Sequence, residues 1–104
     1  MTAADTIARL DAALLREGET VTITRGATSV TTRASVRGVK AEDLIGSATT
    51  SEYMVVVSPT GLSSLGLPRK TDKVVAQGRG LQVMMVDNIH VNGTWVRSNL
   101  VVAG

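Results

Sequence analysis

The side chains able to do chemistry in this sequence are few and widely separated. His90 is the single histidine and cysteine is absent, which removes thiolate catalysis, disulfides and cysteine-based zinc sites together. A lone histidine serves as a general base only when a second group orients it. Asp87 lies three residues upstream, a spacing that sends the two side chains to opposite faces of an extended strand. Ile89 and Val91 flank His90, so if they turn to the core the imidazole turns to solvent. Glu42 and Asp43 are adjacent and diverge on either a helix or a strand, which suits a cap or a surface turn rather than an acid–base pair. No local spacing of carboxylates completes a metal ligand set around His90. The serines lack a Gly-x-Ser-x-Gly elbow. Gly78-Arg79-Gly80 lacks the third glycine and the following helix of a phosphate-binding loop, so it reads as a turn. The pattern predicts no catalytic, cofactor-binding or metal-binding residue.

Binding chemistry is equally sparse. Tyr53 and Trp95 are the only aromatic residues, whereas single-stranded nucleic acid is held on stacked rings at about 1–3 kcal/mol per base. Trp95, beside Asn92-Gly93, is either a core plug at a barrel end or an interface anchor, the core being favoured. Eleven Lys and Arg against nine Asp and Glu leave a net charge of +2. The one tight basic group is Arg69-Lys70 with Lys73, and Asp72 sits among them. Arg33 and Arg37 share a face if their segment is a strand. Most of these charges read as solvated strand faces and loops. No run reaches the roughly 18 apolar residues of a membrane span, and Asp5 and Asp11 interrupt the start of the chain, which does not read as a signal peptide. An intracellular setting is expected.

The elements that must position these residues follow from periodicity. Within 5–16, Ile7, Leu10, Leu14 and Leu15 recur at helical spacing; Asp5 is expected to cap the first turn, Arg16 suits the negative C-terminal end, and Gly18 suits a left-handed stop. From Glu19 the period becomes two. Val21 and Ile23 alternate with threonines, Arg25-Gly26-Ala27 reads as a turn, and 28–37 alternates again, with Val30, Thr32, Ala34 and Val36 on one face. This pair predicts an antiparallel hairpin. Lys40 to Gly46 predicts one helical turn, followed by small residues. Tyr53–Val57 is the most apolar strand, expected to be central or buried on both sides, and Ser58-Pro59 ends it. Strands are then expected at Lys73–Gln77 and Leu81–Val86 around Gly78-Arg79-Gly80, at Ile89–Val91 and Trp95-Val96 around Asn92-Gly93-Thr94, and at Asn99–Val102; Asn-Gly favours a tight hairpin.

Thr60 to Asp72 is a long loop in which Leu62, Leu65 and Leu67 interleave with glycine, serine and proline. These leucines either fold back onto the core or form a contact surface. The whole predicts a mainly β fold: a small antiparallel β-barrel or sandwich of about six strands with one N-terminal α-helix. It divides into a helix over 1–18 and a barrel over 19–104, a single domain overall. Without phenylalanine the core is aliphatic and small for an isolated monomer, and oligomerisation is the usual remedy.

The order of elements from about Val21 to Val102 resembles the small head–tail joining, or head-completion connector, proteins of tailed bacteriophages and prophages. The residues that carry the resemblance are Thr24-Arg25 at the end of the first strand, then Arg33-Ala34-Ser35-Val36-Arg37 with an acidic turn at Glu42-Asp43. The mid-chain apolar strand follows, and Pro68-Arg69-Lys70-Thr71-Asp72-Lys73-Val74-Val75 leads into the last hairpins. The N-terminal helix is longer than in many members. The resemblance implies a β-barrel that forms a ring on the portal or between portal and tail, with loops reaching neighbouring copies and the DNA channel. It implies no catalysis and no cofactor, and places the chain in a virion or in the host cytoplasm during assembly. On that reading Leu62, Leu65 and Leu67 contact neighbours while Arg69 and Lys70 face acidic protein or DNA. The competing reading is a small OB-like barrel that binds nucleic acid.

Overall fold

The computed structural model describes residues 2–38 and 52–104. The helical turn expected at 40–46, with Glu42 and Asp43, lies outside the described residues. The chain forms helix α1 (Ala3–Glu17), strands β1 (Glu19–Arg25), β2 (Thr28–Gly38) and β3 (Glu52–Val57), a short 3-10 helix (Pro59–Leu62), and strands β4 (Lys73–Ala76), β5 (Arg79–Val91) and β6 (Thr94–Ala103). The six strands close into an antiparallel barrel in the order β1-β2-β3-β6-β5-β4. The expected mainly β architecture with one N-terminal helix is present, as a barrel and not as a sandwich.

Period-two patterning explains the closure. Val21 and Ile23 of β1, Ala34 of β2, Val55 and Val57 of β3, Leu81 and Val83 of β5, and Leu100 and Val102 of β6 all turn inward and form one buried aliphatic cluster. Most are Val, whose branched side chain suits a pleated, half-buried surface. β3 lies between β2 and β6, but it is not buried on both sides: Met54 is 39% exposed on the outer wall. The outer side chains Met54 and Val56 line a shallow groove with Leu10 and Leu14 of α1.

Turn chemistry sets the registers. Asn92 and Gly93 both have positive φ (50° and 79°), as a two-residue type I′ hairpin demands, and Val91 pairs with Thr94. The β4–β5 connection uses the same device one residue earlier than expected. Gln77 and Gly78 take φ of 54° and 77°, and Ala76 pairs with Arg79, so Arg79 and Gly80 already belong to β5. Leu81–Val86 and Ile89–Val91 are likewise one strand of 13 residues, because the polar residues between them, Asp87 and Asn88, pair with Asn99 and Ser98. The ladder steps by one residue between Val83 and Met85 and again between Ile89 and His90. Irregularities of this kind increase the local twist of the strand.

Helix α1 begins on a capping box. Thr2 Oγ1 accepts from the Asp5 N–H at 3.1 Å, and Asp5 Oδ2 accepts from the Thr2 N–H at 3.2 Å. Asp5 is thus the third helical residue and not the cap. At the other end Gly18 is extended, with φ −86° and ψ −171°, so it is not a left-handed stop. Glycine is required there by close approach: a Cβ would lie 2.5 Å from the Leu14 carbonyl oxygen and 2.7 Å from that of Ala34. Arg33 on the outer face of β2 supplies the donors a C-terminus needs. Its Nη2 donates to the Leu15 carbonyl at 3.2 Å and to that of Gly18 at 2.6 Å, and its Nε donates to that of Leu14 at 3.3 Å.

Gly18→Ala is expected to force apart backbone oxygens that cannot yield independently, destabilising the fold by about 1–3 kcal/mol. Urea denaturation followed by far-UV circular dichroism measures this; a midpoint equal to that of the parent protein would refute the close-packed junction.

Candidate functional site

The long connection from β3 to β4 is where the sequence concentrates candidate contact residues, and the structure divides them. Ser58 Oγ accepts from the Thr60 N–H at 3.3 Å, and Thr60 Oγ1 donates to Asp11 Oδ2 of α1 at 2.7 Å. The 3-10 helix then places Leu62 in the core, 1% exposed, and Leu65 packs partly buried against the same cluster. A barrel of Val, Ile and Leu without phenylalanine leaves room for these two side chains; full burial, as for Leu62, is worth about 1.5–3 kcal/mol, and the partial burial of Leu65 less. Leu62 and Leu65 therefore fold back onto the core. Leu67 alone of the three remains on the surface, 43% exposed.

What holds this connection is an ion pair that the sequence reading did not identify. Arg25, the last residue of β1, donates from Nε to Asp72 Oδ1 at 2.7 Å and from Nη2 to Oδ2 at 2.9 Å. The same guanidinium donates from Nη1 to the Leu65 carbonyl at 2.8 Å and from Nη2 to the Leu67 carbonyl at 2.9 Å. Asp72 also accepts from the Arg69 N–H at 2.9 Å. The Asp72 side chain is fully buried, while that of Arg25 is 22% exposed. Burial pushes the Asp72 carboxyl up; the hydrogen bonds from Arg25 and the Arg69 amide, with the charges of both arginines, outweigh it and hold the group below its ordinary value. Arg25 is shifted the other way, held more firmly protonated by its hydrogen bond to Asp72. The bidentate fork is the geometry that suits arginine to this position.

With Asp72 engaged inside, Arg69, Lys70 and Lys73 stay exposed beside Leu67. The loop and the first residue of β4 thus display one apolar and three cationic side chains from a pinned backbone. Gln82 Nε2 adds a bond to the Lys70 carbonyl at 2.7 Å. Of the two arginines expected to share a face of β2, Arg33 caps α1 and Arg37 is exposed.

The remaining candidates do not converge. His90 is exposed and sits opposite Trp95 in the ladder. Its neighbours Ile89 and Val91 line a groove with Leu10 and Val96 between the hairpin and α1; they do not join the barrel interior. Trp95 packs against the core and its Nε1 donates to Ser98 Oγ at 2.8 Å; Ser98 in turn donates to Asn88. Tyr53 is half-buried and its hydroxyl accepts from Arg79 Nη1 at 3.1 Å. Among the described residues no three His, Asp or Glu side chains stand close enough to hold a metal ion, and no helix is long and apolar enough to cross a membrane.

Sequence reasoning missed Arg25 and Asp72 as partners because they lie far apart in the chain. The available signal was a single acid inside a basic run, a charge with no evident purpose on a solvated loop. Comparison of the chain with protein-family models, with curated proteins and with solved structures gives no match.

Arg25→Ala strands a buried carboxylate and is expected to cost about 3 kcal/mol or more. The pH dependence has a definite sign. Above about pH 5 Asp72 is ionised both folded and unfolded, and its contribution is constant. As pH falls through the ordinary carboxyl value of about 3.9, the unfolded chain takes up the proton first, and stability drops until the folded carboxyl is protonated too. Urea denaturation between pH 2.5 and 7 checks this; Asp72→Asn is expected to be less stable at pH 7 and to lose less on acidification.

Proposed function

We propose that this chain is a structural adaptor of a tailed-phage or prophage particle, a head-completion connector that assembles as a ring between portal and tail. The observation that carries the reading is the connection from Ser63 to Thr71, pinned by Arg25 and Asp72, which offers Leu67 beside Arg69 and Lys70. Its last residues, Pro68 to Thr71, open the Pro68–Val75 pattern that is one of the motifs carrying the resemblance to the connector family. A contact loop gains affinity when its backbone is ordered before it binds, since less conformational entropy is lost on association. Its partners on this reading are neighbouring copies, the portal and tail proteins, and acidic protein surface or DNA facing Arg69 and Lys70. The working residues are then surface contacts, with no reaction and no cofactor.

The OB-like alternative draws less support from the geometry. Both aromatic rings are half-buried, with Trp95 and Tyr53 each held by a hydrogen bond, which leaves neither free as a stacking platform. Binding of a short single strand that weakens steeply with salt would favour that alternative.

The combined variant Leu67→Ser, Arg69→Ser, Lys70→Ser is expected to keep its thermal midpoint, since these are surface positions and each change is within about 0.5 kcal/mol. It should fail to complete particles, or to form rings with portal and tail proteins, by negative-stain electron microscopy. Normal particles carrying this variant would remove the loop from the assembly.

A further inference from the structure

Strand β5 is much longer than the strand beside it. Its 13 residues meet only the four of β4, and the ladder between them stops at Lys73 and Gln82. One more backbone bond, from the Val83 N–H to the Asp72 carbonyl at 3.2 Å, ends the contact. Beyond it β5 is paired only to β6, and among the described residues no strand lies on its other side. Among the described residues the segment Met85–Val91 therefore has no strand partner on that side, and such an edge is a template for another strand.

Natural edges are blunted with proline, charged side chains, bulges or very short length. This one contains no proline, glycine or lysine between Met85 and Val91; its guards are the single charge of Asp87 and the register shifts at Val83/Met85 and Ile89/His90. Met84 and Met85 stand at its start, 51% and 63% exposed. Met85 also continues an apolar row across the outer wall, opposite Val101, which is itself opposite Met54.

We propose that this edge pairs with the same edge of a second copy of the chain, antiparallel, so that the two β5 strands run together as one sheet. Among antiparallel pairings of this strand with itself, the side-chain order favours one register. With outer faces on the same side, a pair centred on Asn88 sets Met85 opposite Val91 and Asp87 opposite Ile89, each twice, with no like charges facing. Centring on Asp87 sets two carboxylates against each other, which is destabilising. Centring on Ile89 carries Met85 past the end of the strand, opposite the Gly93 turn. The contact is isologous and closes at two copies, unlike the head-to-tail contacts of a ring. It stands independently of the proposed function.

Sedimentation velocity of the full chain across a concentration series tests this, together with amide hydrogen exchange of the unaltered protein. The expected result is a monomer–dimer equilibrium, with exchange at Met85–Val91 slowing as concentration rises. Met85→Asp lies on an exposed position and places a carboxylate opposite Val91 twice; it should weaken the dimer at least about tenfold. A protein monomeric at every concentration, a dimer indifferent to Met85→Asp, or larger rings whose edge amides stay unprotected would each overturn the proposal.

Discussion

The bond between Arg25 and Asp72 lies where the barrel seam would otherwise run out. β1 and β4 are joined by three paired residues, Thr22 with Val75, Ile23 with Val74 and Thr24 with Lys73. Continuing that register by one step brings Arg25 opposite Asp72. The ladder therefore ends in an ion pair of side chains in place of a further backbone rung. Buried ion pairs are weak sources of net stability, because desolvation opposes the Coulombic gain. Breaking one is costly, however: a mispaired seam would leave the Asp72 carboxylate buried and alone. The guanidinium also holds two loop carbonyls, so seam and loop are fixed together.

A second arginine does the same for the helix. Arg33 gathers the terminal carbonyls of α1 against the wall of β2, and Thr60 with Asp11 ties the other side of the helix to the 3-10 turn. The small net charge of +2 is thus misleading as a guide to surface potential. Arg25 and Arg33 are turned to internal work, and the cations left at the loop are Arg69, Lys70 and Lys73. The helix in turn leaves grooves on both of its flanks, because its apolar stripe covers only part of the outer wall.

Most of the barrel was legible in the sequence, for a simple reason. Threonine–valine alternation over Val21–Thr24 and 28–37 has one structural meaning when a face must be buried, and Asn92-Gly93 has one favoured turn. What escaped was set by partners remote in the chain. Asp87 and Asn88 look like a break between strands until Asn99 and Ser98 lie opposite them. Gly18 looks like a left-handed stop until β2 comes against it. The loop leucines were open between core and surface, and only the unfilled end of an aliphatic barrel decides that Leu62 and Leu65 go in while Leu67 stays out. Of the candidate site, the basic pair Arg69 and Lys70 was readable, but the leucine that stands beside it and the ion pair that presents it were not.

The same seam bears on how the chain reaches its final form. The β1–β2 and β5–β6 hairpins join neighbours across two-residue turns, contacts that close quickly because little chain must be brought together. Joining Ile23 to Val74 instead requires most of the intervening polypeptide to be in place, at a loop-closure entropy that local contacts cannot offset in advance. The topology favours late closure of this seam. Until it is taken, two unsatisfied strand borders remain open to other molecules, and the chain is most exposed to misassembly during that interval.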